Sequence, residues 1–422
     1  MRIARNLEEG FFEYREEVRD EVKRIIDDVR QNGDEALKRY TSRFDGVSLK
    51  DLRVDFKIEE TEIGEIKAIK TSIDNVKKFA EKQLEHFKNI DYEIAPGVFT
   101  GQRVIPIERV GIYVPGGRYP LVSTLIMCAV PAKVAGVGEI VICTPPSYRG
   151  TVHPVILAVV GLIGVHEVYA VGGAQAIAAM AYGTETIKKV DKIVGPGNRY
   201  INLAKKEVFG AVGIDFIAGP TEILIIADET SNPEIIAADL LAQAEHDVDA
   251  LPILVTNSTE LAERVQKEVK SRVEKLQTKD VAGKTMEKNG VIVLVDSLED
   301  AVTIANRRAP EHLELQVKEP GKYVDKIKNY GTLFIGKLAA VALGDYSSGL
   351  NHTLPTNTGA RYTGGLSVKD FLKLQTALRV TEKGIKEIGP VAKTLAKIEG
   401  LDGHARSIEV RIKKEGDGGT SI

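Results

Sequence analysis

From about residue 104 onward, the chain alternates short β-rich runs with Ala-rich helical stretches. The helical stretches include residues 121–135 and 174–182. The strand candidates of this first series are residues 110–114, 140–143, 167–170, 192–194, 215–217 and 223–226. Strand-then-helix alternation predicts an α/β fold, in which helices cover both faces of a parallel sheet. A second series over about residues 252–335 predicts a second layered unit of the same kind.

Two further regions flank these series. Residues 11–41 and 60–89 show charged, amphipathic helical patterns, so a helical N-terminal part is predicted. Residues 337–367 are rich in Gly, Ser, Thr and Asn without periodicity, which predicts a long functional loop. The last section predicts helices over about 367–377 and 383–399, and then a strand over 407–412.

Bulk properties exclude several classes of protein. The 422 residues exceed one ordinary core and indicate two or three domains. The net charge of −3 comes from 57 basic and 60 acidic residues, so no nucleic-acid partner is indicated. The longest apolar run, residues 154–165, is too short to span a bilayer, and no apolar signal core starts the chain. We therefore expect a cytoplasmic protein without a membrane partner.

Gln243 and His246 end a helical pattern that begins after Ser231-Asn232-Pro233. Residues three apart project from one helix face, so an amide and an imidazole could contribute to a metal site without cysteine. The simpler interpretation is that the pair caps and solvates the helix end.

Other polar clusters could serve the same site. Glu311 and His312 follow a helix end, where an imidazole beside a carboxylate is a candidate general acid or base. Asp345 and His352 lie in the polar loop, and His404 lies in a Gly-containing link close to Glu399. From the local sequence alone, Glu311 and His312 could equally be an exposed loop pair, and Asp345 could be an ordinary turn-forming residue.

Three glycine-rich turns follow strand candidates, and they contain Gly116-Gly117, Gly172-Gly173 and Gly195-Pro196-Gly197. Glycine lets a backbone approach a pyrophosphate closely, and a following helix N-terminus favours an anion. None completes the G-x-G-x-x-G pattern, so tight turns without a ligand remain an alternative. Several such turns at one sheet edge favour a ligand.

The two cysteines, Cys128 and Cys143, both lie in apolar runs. Buried, unreactive thiols in a reducing compartment are the expectation for such positions. A cysteine nucleophile, as used by many aldehyde-oxidising enzymes, is therefore disfavoured.

Over residues 20–412 the chain resembles the histidinol dehydrogenase family, through a set of motifs that occur in one order. These are Gly111-Ile112-Tyr113-Val114-Pro115-Gly116-Gly117, Gly195-Pro196-Gly197-Asn198, Ala218-Gly219-Pro220-Thr221-Glu222, Leu241-Ala242-Gln243-Ala244-Glu245-His246, Ala309-Pro310-Glu311-His312-Leu313, Gly344-Asp345-Tyr346, Asn351-His352-Thr353-Leu354-Pro355-Thr356 and the segment from Glu399 to His404.

The resemblance implies a fold of two incomplete Rossmann-like α/β/α domains with a helical N-terminal segment and a small C-terminal helical tail domain. The N-terminal segment would cover 1–25, and the larger α/β domain, with metal and catalytic residues, would cover 26–108 plus 222–366. The NAD-binding domain would cover 109–221, and the tail, which crosses to the partner in a homodimer, would cover 367–422.

The family oxidises L-histidinol to L-histidine through the aldehyde, using two NAD⁺ and one zinc ion per subunit. By motif, the zinc ligands would be Gln243, His246, Asp345 and His404, and Glu311 and His312 would be the acid/base pair. NAD would contact Tyr113, Gln175 and Asn198. The substrate would contact Thr221, His352 and Glu399, together with Gln243, His246, His312, Asp345 and His404. Relatives often carry Ser in place of Thr221, which keeps the hydroxyl.

Two other functions stay open at this stage. One is a zinc- and NAD-dependent dehydrogenase of the same fold that acts on a different polar alcohol, against which the matched Glu399 and His352 argue. The other is a catalytically silent NAD- or metal-binding protein, which the presence of both Glu311 and His312 disfavours.

Overall fold

The computed structural model describes residues 1–5, 16–56, 65–116 and 120–412. The strands are β1 (Arg2–Ala4), β2 (Ile90–Ala95), β3 (Val98–Pro106), β4 (Arg109–Tyr113), β5 (Glu139–Cys143), β6 (Glu167–Tyr169), β7 (Lys192–Val194), β8 (Gly213–Ile214), β9 (Glu222–Ala227), β10 (Leu251–Thr256), β11 (Val291–Leu294), β12 (His312–Gln316), β13 (Thr332–Ile335) and β14 (Leu372–Val380). The α-helices are α1 (Glu16–Asp45), α2 (Ile66–Leu84), α3 (Val122–Ala135), α4 (Pro154–Ile163), α5 (Gly173–Tyr182), α6 (Arg199–Val208), α7 (Pro233–Ala244), α8 (Thr259–Val273), α9 (Lys279–Lys288), α10 (Leu298–Arg308), α11 (Val341–Tyr346), α12 (Glu382–Ile398) and α13 (Asp402–Ile412).

The chain divides into two compact units. The first comprises Met1–Lys82 and Ile107–Phe371, and the second comprises Gln83–Pro106 and Leu372–Ile422. The finer division into four segments, implied by the resemblance, stays a prediction.

A five-stranded parallel sheet forms one half of the first unit, with strand order β6-β5-β4-β7-β8. Helices α1, α5 and α6 pack together and bury apolar side chains of this sheet, such as Tyr113 and Ile193. Every residue of β4 is buried, as expected of a central strand covered on both faces. The strand order reverses between β4 and β7, where open α/β sheets bind ligands.

A six-stranded parallel sheet forms the other half, with strand order β1-β11-β10-β9-β12-β13. Alternate residues of β9 enter two cores: Ile223 and Ile225 pack with α7 and α8, while Leu224 and Ile226 pack with α10. Because β9 and β12 are adjacent and parallel, the residues that precede them meet at one edge. We call this the amino edge of the six-stranded sheet.

The second unit is a three-stranded antiparallel sheet with two helices. Strand β3 lies between β14 and β2, and its nine-residue pairing with β14 joins residues far apart in the chain. Helix α12 packs against α13 and also contacts β2 and β14.

The α/β class and the two Rossmann-like sheets are confirmed, and several local predictions are wrong. Residues 367–377 form a short 3₁₀ turn, Val368–Phe371, followed by β14 rather than a helix. Residues 407–412 belong to helix α13 rather than to a strand. The predicted strand at 215–217 lies instead at Gly213–Ile214, and the 337–367 loop contains helix α11.

None of the helices in the described ranges is long and apolar enough to cross a lipid bilayer. The predicted helices over 11–41 and 60–89 correspond to α1 and α2. Residues 11–15 and 60–64 lie outside the described part of the chain.

Candidate active site

Glu311 and His312 lie at the amino edge of the six-stranded sheet, where the chain enters β12. The positive φ of Ala309 ends α10 in a left-handed conformation, and Pro310 follows before the chain turns into the strand. Both side chains are buried, at 7% and 4% residue exposure. A carboxyl and an imidazole removed from water need specific partners, so their contacts decide what they can do.

The backbone of Glu222, the first residue of β9, holds both side chains. Its N–H donates to Glu311 Oε2 at 3.0 Å, and its carbonyl oxygen lies 3.1 Å from His312 Nδ1. A carbonyl can only accept, so His312 Nδ1 carries the proton and Nε2 is the basic nitrogen of the neutral ring. Thr221 also donates its hydroxyl to Glu311 Oε2, which leaves Oε1 for another partner.

The Glu222 side chain is itself fixed. It is fully buried, pairs with the Arg308 guanidinium, and accepts a hydrogen bond of 2.9 Å from the Asn357 N–H. Glu222 and Arg308 are site residues to which the sequence patterns assign no role. A carboxylate at the first position of an otherwise apolar strand was the available signal, because such a charge needs a partner.

The protonation of the pair follows from burial and mutual charge. Burial raises the pKa of Glu311 to about 7, although the His312 charge and the Thr221 hydrogen bond oppose the rise. Burial would lower the pKa of His312, but Glu311 and Asp345 raise it to about 9. Glu311 Oε2 lies 3.6 Å from His312 Nδ1. A carboxyl that titrates near neutrality suits a general base.

Asp345 in helix α11 faces the other nitrogen of His312. Its Oδ1 lies 3.7 Å from His312 Nε2, which is an ion-pair distance and longer than a hydrogen bond. Burial opposes the ionisation of Asp345, but the neighbouring imidazole of His312, with smaller contributions from His352 and His246, holds its pKa below the ordinary value. The structure therefore brings Asp345, His312, His352 and His246 into one neighbourhood.

Gln243 and His246 lie where α7 ends. Asn232 caps the start of this helix and Pro233 occupies its first turn, as the sequence predicts. Gln243 is buried and donates its Nε2 to the Thr221 hydroxyl, which leaves Oε1 free for another contact. His246 is exposed and follows the last helical residue, Ala244.

Unpartnered buried nitrogens mark the same neighbourhood. Nε2 of His312 and Nε2 of His352 are both shielded from solvent and have no hydrogen-bond partner among the described residues. Burial lowers the pKa of His352, which keeps its ring neutral and able to bind a cation. Within the described ranges, no three His, Cys, Asp or Glu side chains are gathered closely enough to hold a metal as they stand.

The cofactor candidates lie at the strand ends of the five-stranded sheet. Tyr113 ends β4, and its hydroxyl accepts a hydrogen bond of 3.3 Å from the N–H of Gly173, the first residue of α5. Gln175, also in α5, is fully buried, and neither atom of its amide has a partner in the described structure. Asn198 follows β7 and caps α6 with its side-chain oxygen.

Glu399 and His404 belong to the second unit. Glu399 caps the C-terminus of α12, and His404 lies in α13. Both side chains are exposed. Their predicted roles as substrate contact and zinc ligand stay predictions.

Both cysteines are free and buried, as expected. Burial raises the pKa of Cys128 to about 12, and it also raises that of Cys143. A thiol that resists ionisation is a poor nucleophile, so these positions argue against a cysteine-dependent aldehyde oxidation.

Comparison with known proteins shows the family of this chain. The family model described as histidinol dehydrogenase matches residues 12–412. A histidinol dehydrogenase from Bacillus cereus is 47% identical over 409 residues, which cover 95% of this chain and 94% of that protein. One from Methanocaldococcus jannaschii is 45% identical over 403 residues, with 94% and 93% covered.

Solved structures show the same relationship. A crystal structure of histidinol dehydrogenase from Elizabethkingia anophelis superposes with a TM-score of 0.90 at 39% identity, covering 95% of this chain and 94% of that chain. A betaine aldehyde dehydrogenase from Staphylococcus aureus reaches a TM-score of 0.52 at 14% identity, with 86% and 84% covered, which shows a shared fold alone. The chain therefore belongs to the histidinol dehydrogenase family.

Proposed function

We propose that this chain oxidises L-histidinol to L-histidine through the aldehyde, with zinc and two NAD⁺. The observation that carries the proposal is the buried Glu311–His312 pair. Both side chains are held by the backbone of Glu222, and each keeps one atom available for a reacting group. A silent binding protein would have no need of such a pair.

His312 is the base of the first oxidation in this proposal. Its Nδ1 proton is committed to the Glu222 carbonyl, so in the deprotonated ring, which becomes the main form only above its pKa of about 9, Nε2 would take the alcohol proton as hydride leaves the substrate carbon. Asp345, 3.7 Å from Nε2, stabilises the imidazolium that results.

Glu311 is the base of the second oxidation. Thr221 and Glu222 both donate to Oε2, so Oε1 would receive a proton from water as that water adds to the aldehyde. A pKa of about 7 leaves a substantial fraction of the carboxylate ionised near neutral pH. After His312 has released the first proton to solvent, the hydrated aldehyde would lose its second hydride, again with His312 as the base.

The donor set suits zinc, for which we propose Gln243, His246, Asp345 and His404 as ligands. These residues supply amide oxygen, imidazole nitrogen and carboxylate oxygen, which zinc accepts. The orphaned buried nitrogens of His312 and His352 beside Asp345 support a bound group in this neighbourhood. When bound, zinc would orient the substrate and polarise its oxygen. Thr221, His352 and Glu399 would complete the substrate contacts.

The cofactor would bind at the strand-order reversal of the five-stranded sheet, beside Tyr113, Gln175 and Asn198. The unpartnered, fully buried amide of Gln175 next to the N-terminus of α5 supports a polar ligand there. When bound, NAD⁺ accepts the hydride.

We further propose a homodimer in which Glu399 and His404 complete the partner's site. Helix α12 carries Val391, Leu395 and Ile398 on one stripe, and these are 60%, 55% and 76% exposed. Apolar side chains spaced this way on a helix are typical of a face that another surface covers.

The decisive experiment measures NADH formed per L-histidinol consumed, with zinc supplied. Two equivalents with histidine as the product would support the four-electron reaction. One equivalent would mean that the aldehyde is released and would contradict the role of Glu311. No NADH would favour a different polar alcohol as the substrate.

A further inference from the structure

A buried polar cluster surrounds the turn formed by Gly195, Pro196, Gly197 and Asn198. This turn follows β7 and lies beside Tyr113 at the strand-order reversal. The cluster consists of Lys205, Asp215 and Asn202, which we call the turn frame. The Lys205 and Asp215 side chains are 1% and 0% exposed, and Asn202 is 2% exposed.

Lys205 and Asp215 form hydrogen bonds with the backbone carbonyl and N–H groups of Gly195. Asp215 Oδ2 accepts from the Gly195 N–H at 2.9 Å, and Lys205 Nζ donates to the Gly195 carbonyl at 3.0 Å. The two side chains also form an ion pair with each other. Gly195 has a φ of 120°, and a Cβ on it would lie 2.3 Å from the Tyr113 carbonyl oxygen. The backbone is thus held where only glycine fits.

Asn202 links the same turn to the segment that carries Thr221, a proposed substrate contact. Its Nδ2 donates to the Gly197 carbonyl at 2.8 Å, and its Oδ1 accepts from the Ala218 N–H at 3.4 Å. Ala218 begins the segment that ends at Thr221, whose hydroxyl donates to Glu311. One buried amide therefore spans from the cofactor turn to the segment that contacts the proposed base.

Stability alone is a weak reason for such a frame. Removing a lysine and an aspartate from water carries a large desolvation penalty, and apolar replacements of buried ion pairs are often neutral or stabilising. The three side chains form hydrogen bonds with the backbone of the turn and of the segment leading to Thr221. Such contacts fix the position of the turn relative to that segment.

We infer that Lys205, Asp215 and Asn202 are positioning residues for dinucleotide binding. They fix the turn that receives the cofactor and tie it to the segment carrying Thr221. The inference rests on the proposed use of NAD, and it adds the residues that set the geometry of that site.

The test compares two double variants. In Lys205→Met/Asp215→Leu both buried charges are removed together, so neither is left unpaired. The matched control is Arg109→Met/Glu167→Gln, which removes a largely buried ion pair from the opposite end of the same sheet. NADH affinity is measured by fluorescence titration, and stability by thermal unfolding.

We expect the first variant to bind NADH about tenfold or more weakly than the unaltered chain, while the control binds it normally. Equal NADH affinity in the folded Lys205→Met/Asp215→Leu variant and the unaltered chain would overturn the inference. Weakened binding in both variants would also overturn it, because the effect would then be general to the sheet. Failure of the unaltered chain to bind NADH would instead contradict the proposed function.

Asn202→Ala provides a second test if the double variant does not fold. It should weaken NADH binding and also raise KM for L-histidinol, because Asn202 contacts both segments. A variant with unchanged NADH affinity and unchanged KM for both substrates would count against the frame.

Discussion

Replacing Glu311 by Gln removes the proposed water-activating base, and it also removes a charge that raises the pKa of His312. The carbonyl oxygen of a glutamine can accept the same hydrogen bonds from Thr221 and the Glu222 N–H, so the local structure should persist. General base catalysis contributes about 100- to 10,000-fold, or about 2.7–5.5 kcal/mol of barrier. We expect a loss of that size in aldehyde oxidation and a much smaller loss in alcohol oxidation.

The pH dependence makes this prediction sharper. With a pKa of about 7, about a tenth of Glu311 is ionised at pH 6 and about nine tenths at pH 8. Only the carboxylate can activate water, and His312 is the proposed base in both oxidations, so aldehyde oxidation should rise about tenfold relative to alcohol oxidation from pH 6 to pH 8. Glu311→Gln should lack this relative rise, because a glutamine amide does not titrate and any change in the ionisation of His312 affects both oxidations.

The assay supplies L-histidinol and L-histidinal separately and follows NADH in single turnovers with zinc present. Separate substrates are needed because the slower oxidation would otherwise hide the faster one. Equal slowing of both oxidations would refute the assignment of Glu311 to the second step. A Glu311→Gln variant that retains the tenfold rise would show that another group is the base.

Three other predictions test the remaining assignments. His246→Ala should abolish zinc retention with little change in fold, because the side chain is exposed, and metal analysis showing full occupancy would exclude His246 as a ligand. Glu314→Gln should stabilise the fold at pH 8 by on the order of 2 kcal/mol and by much less at pH 5. Burial and the Asp239 charge raise the pKa of Glu314 to about 8 in the folded protein, from 4.5 in the unfolded chain. Glu314 therefore does not reduce the free energy of unfolding below pH 4.5, and it reduces this free energy increasingly as pH rises towards 8. Denaturant unfolding in which Glu314→Gln changes the free energy of unfolding equally at pH 5 and pH 8 would contradict this. A chain truncated before Leu401 should be inactive but should regain activity when co-assembled with a Glu311 variant, and an inactive mixture would contradict shared sites.

Local pattern was sufficient wherever a segment's own residues decide its structure. The buried strands β4, β5 and β7 lie within a residue or two of the predicted runs, because apolar β-branched sequences bounded by glycine form such strands in many contexts. The Asn232 cap and the following Pro233 likewise define the start of α7.

Local sequence pattern gave the wrong secondary structure where pairing or packing with a distant segment determines it. Strand β14 pairs with β3 over nine residues, and this non-local ladder makes residues 372–380 a strand although their pattern suggests a helix. Residues 407–412 alternate Ile408, Val410 and Ile412 like a strand, but packing of α13 against α12 makes them helical. Short apolar runs are ambiguous between the two periods.

Some site residues could likewise be identified from the sequence, whereas the roles of others depend on the tertiary structure. Motifs in the sequence were enough to single out Glu311, His312, Gln243 and Asp345 as candidates. Sequence patterns also offered a signal for Lys205, which lies on the apolar face of α6 between Ile201 and Val208. Its role could not be read from that signal, because the partner Asp215 and the bound turn come from other elements.

By itself, the sequence determined the α/β architecture, the family and the chemical types available for catalysis, because periodicity, turn residues and motifs are local properties of a chain. Only the tertiary structure decided which atom of each side chain is free. It commits His312 Nδ1 to the Glu222 carbonyl, leaves Nε2 facing Asp345, and buries Glu311. Protonation depends on burial and on charges within a few ångströms, and those neighbours come from strands and helices far apart in sequence.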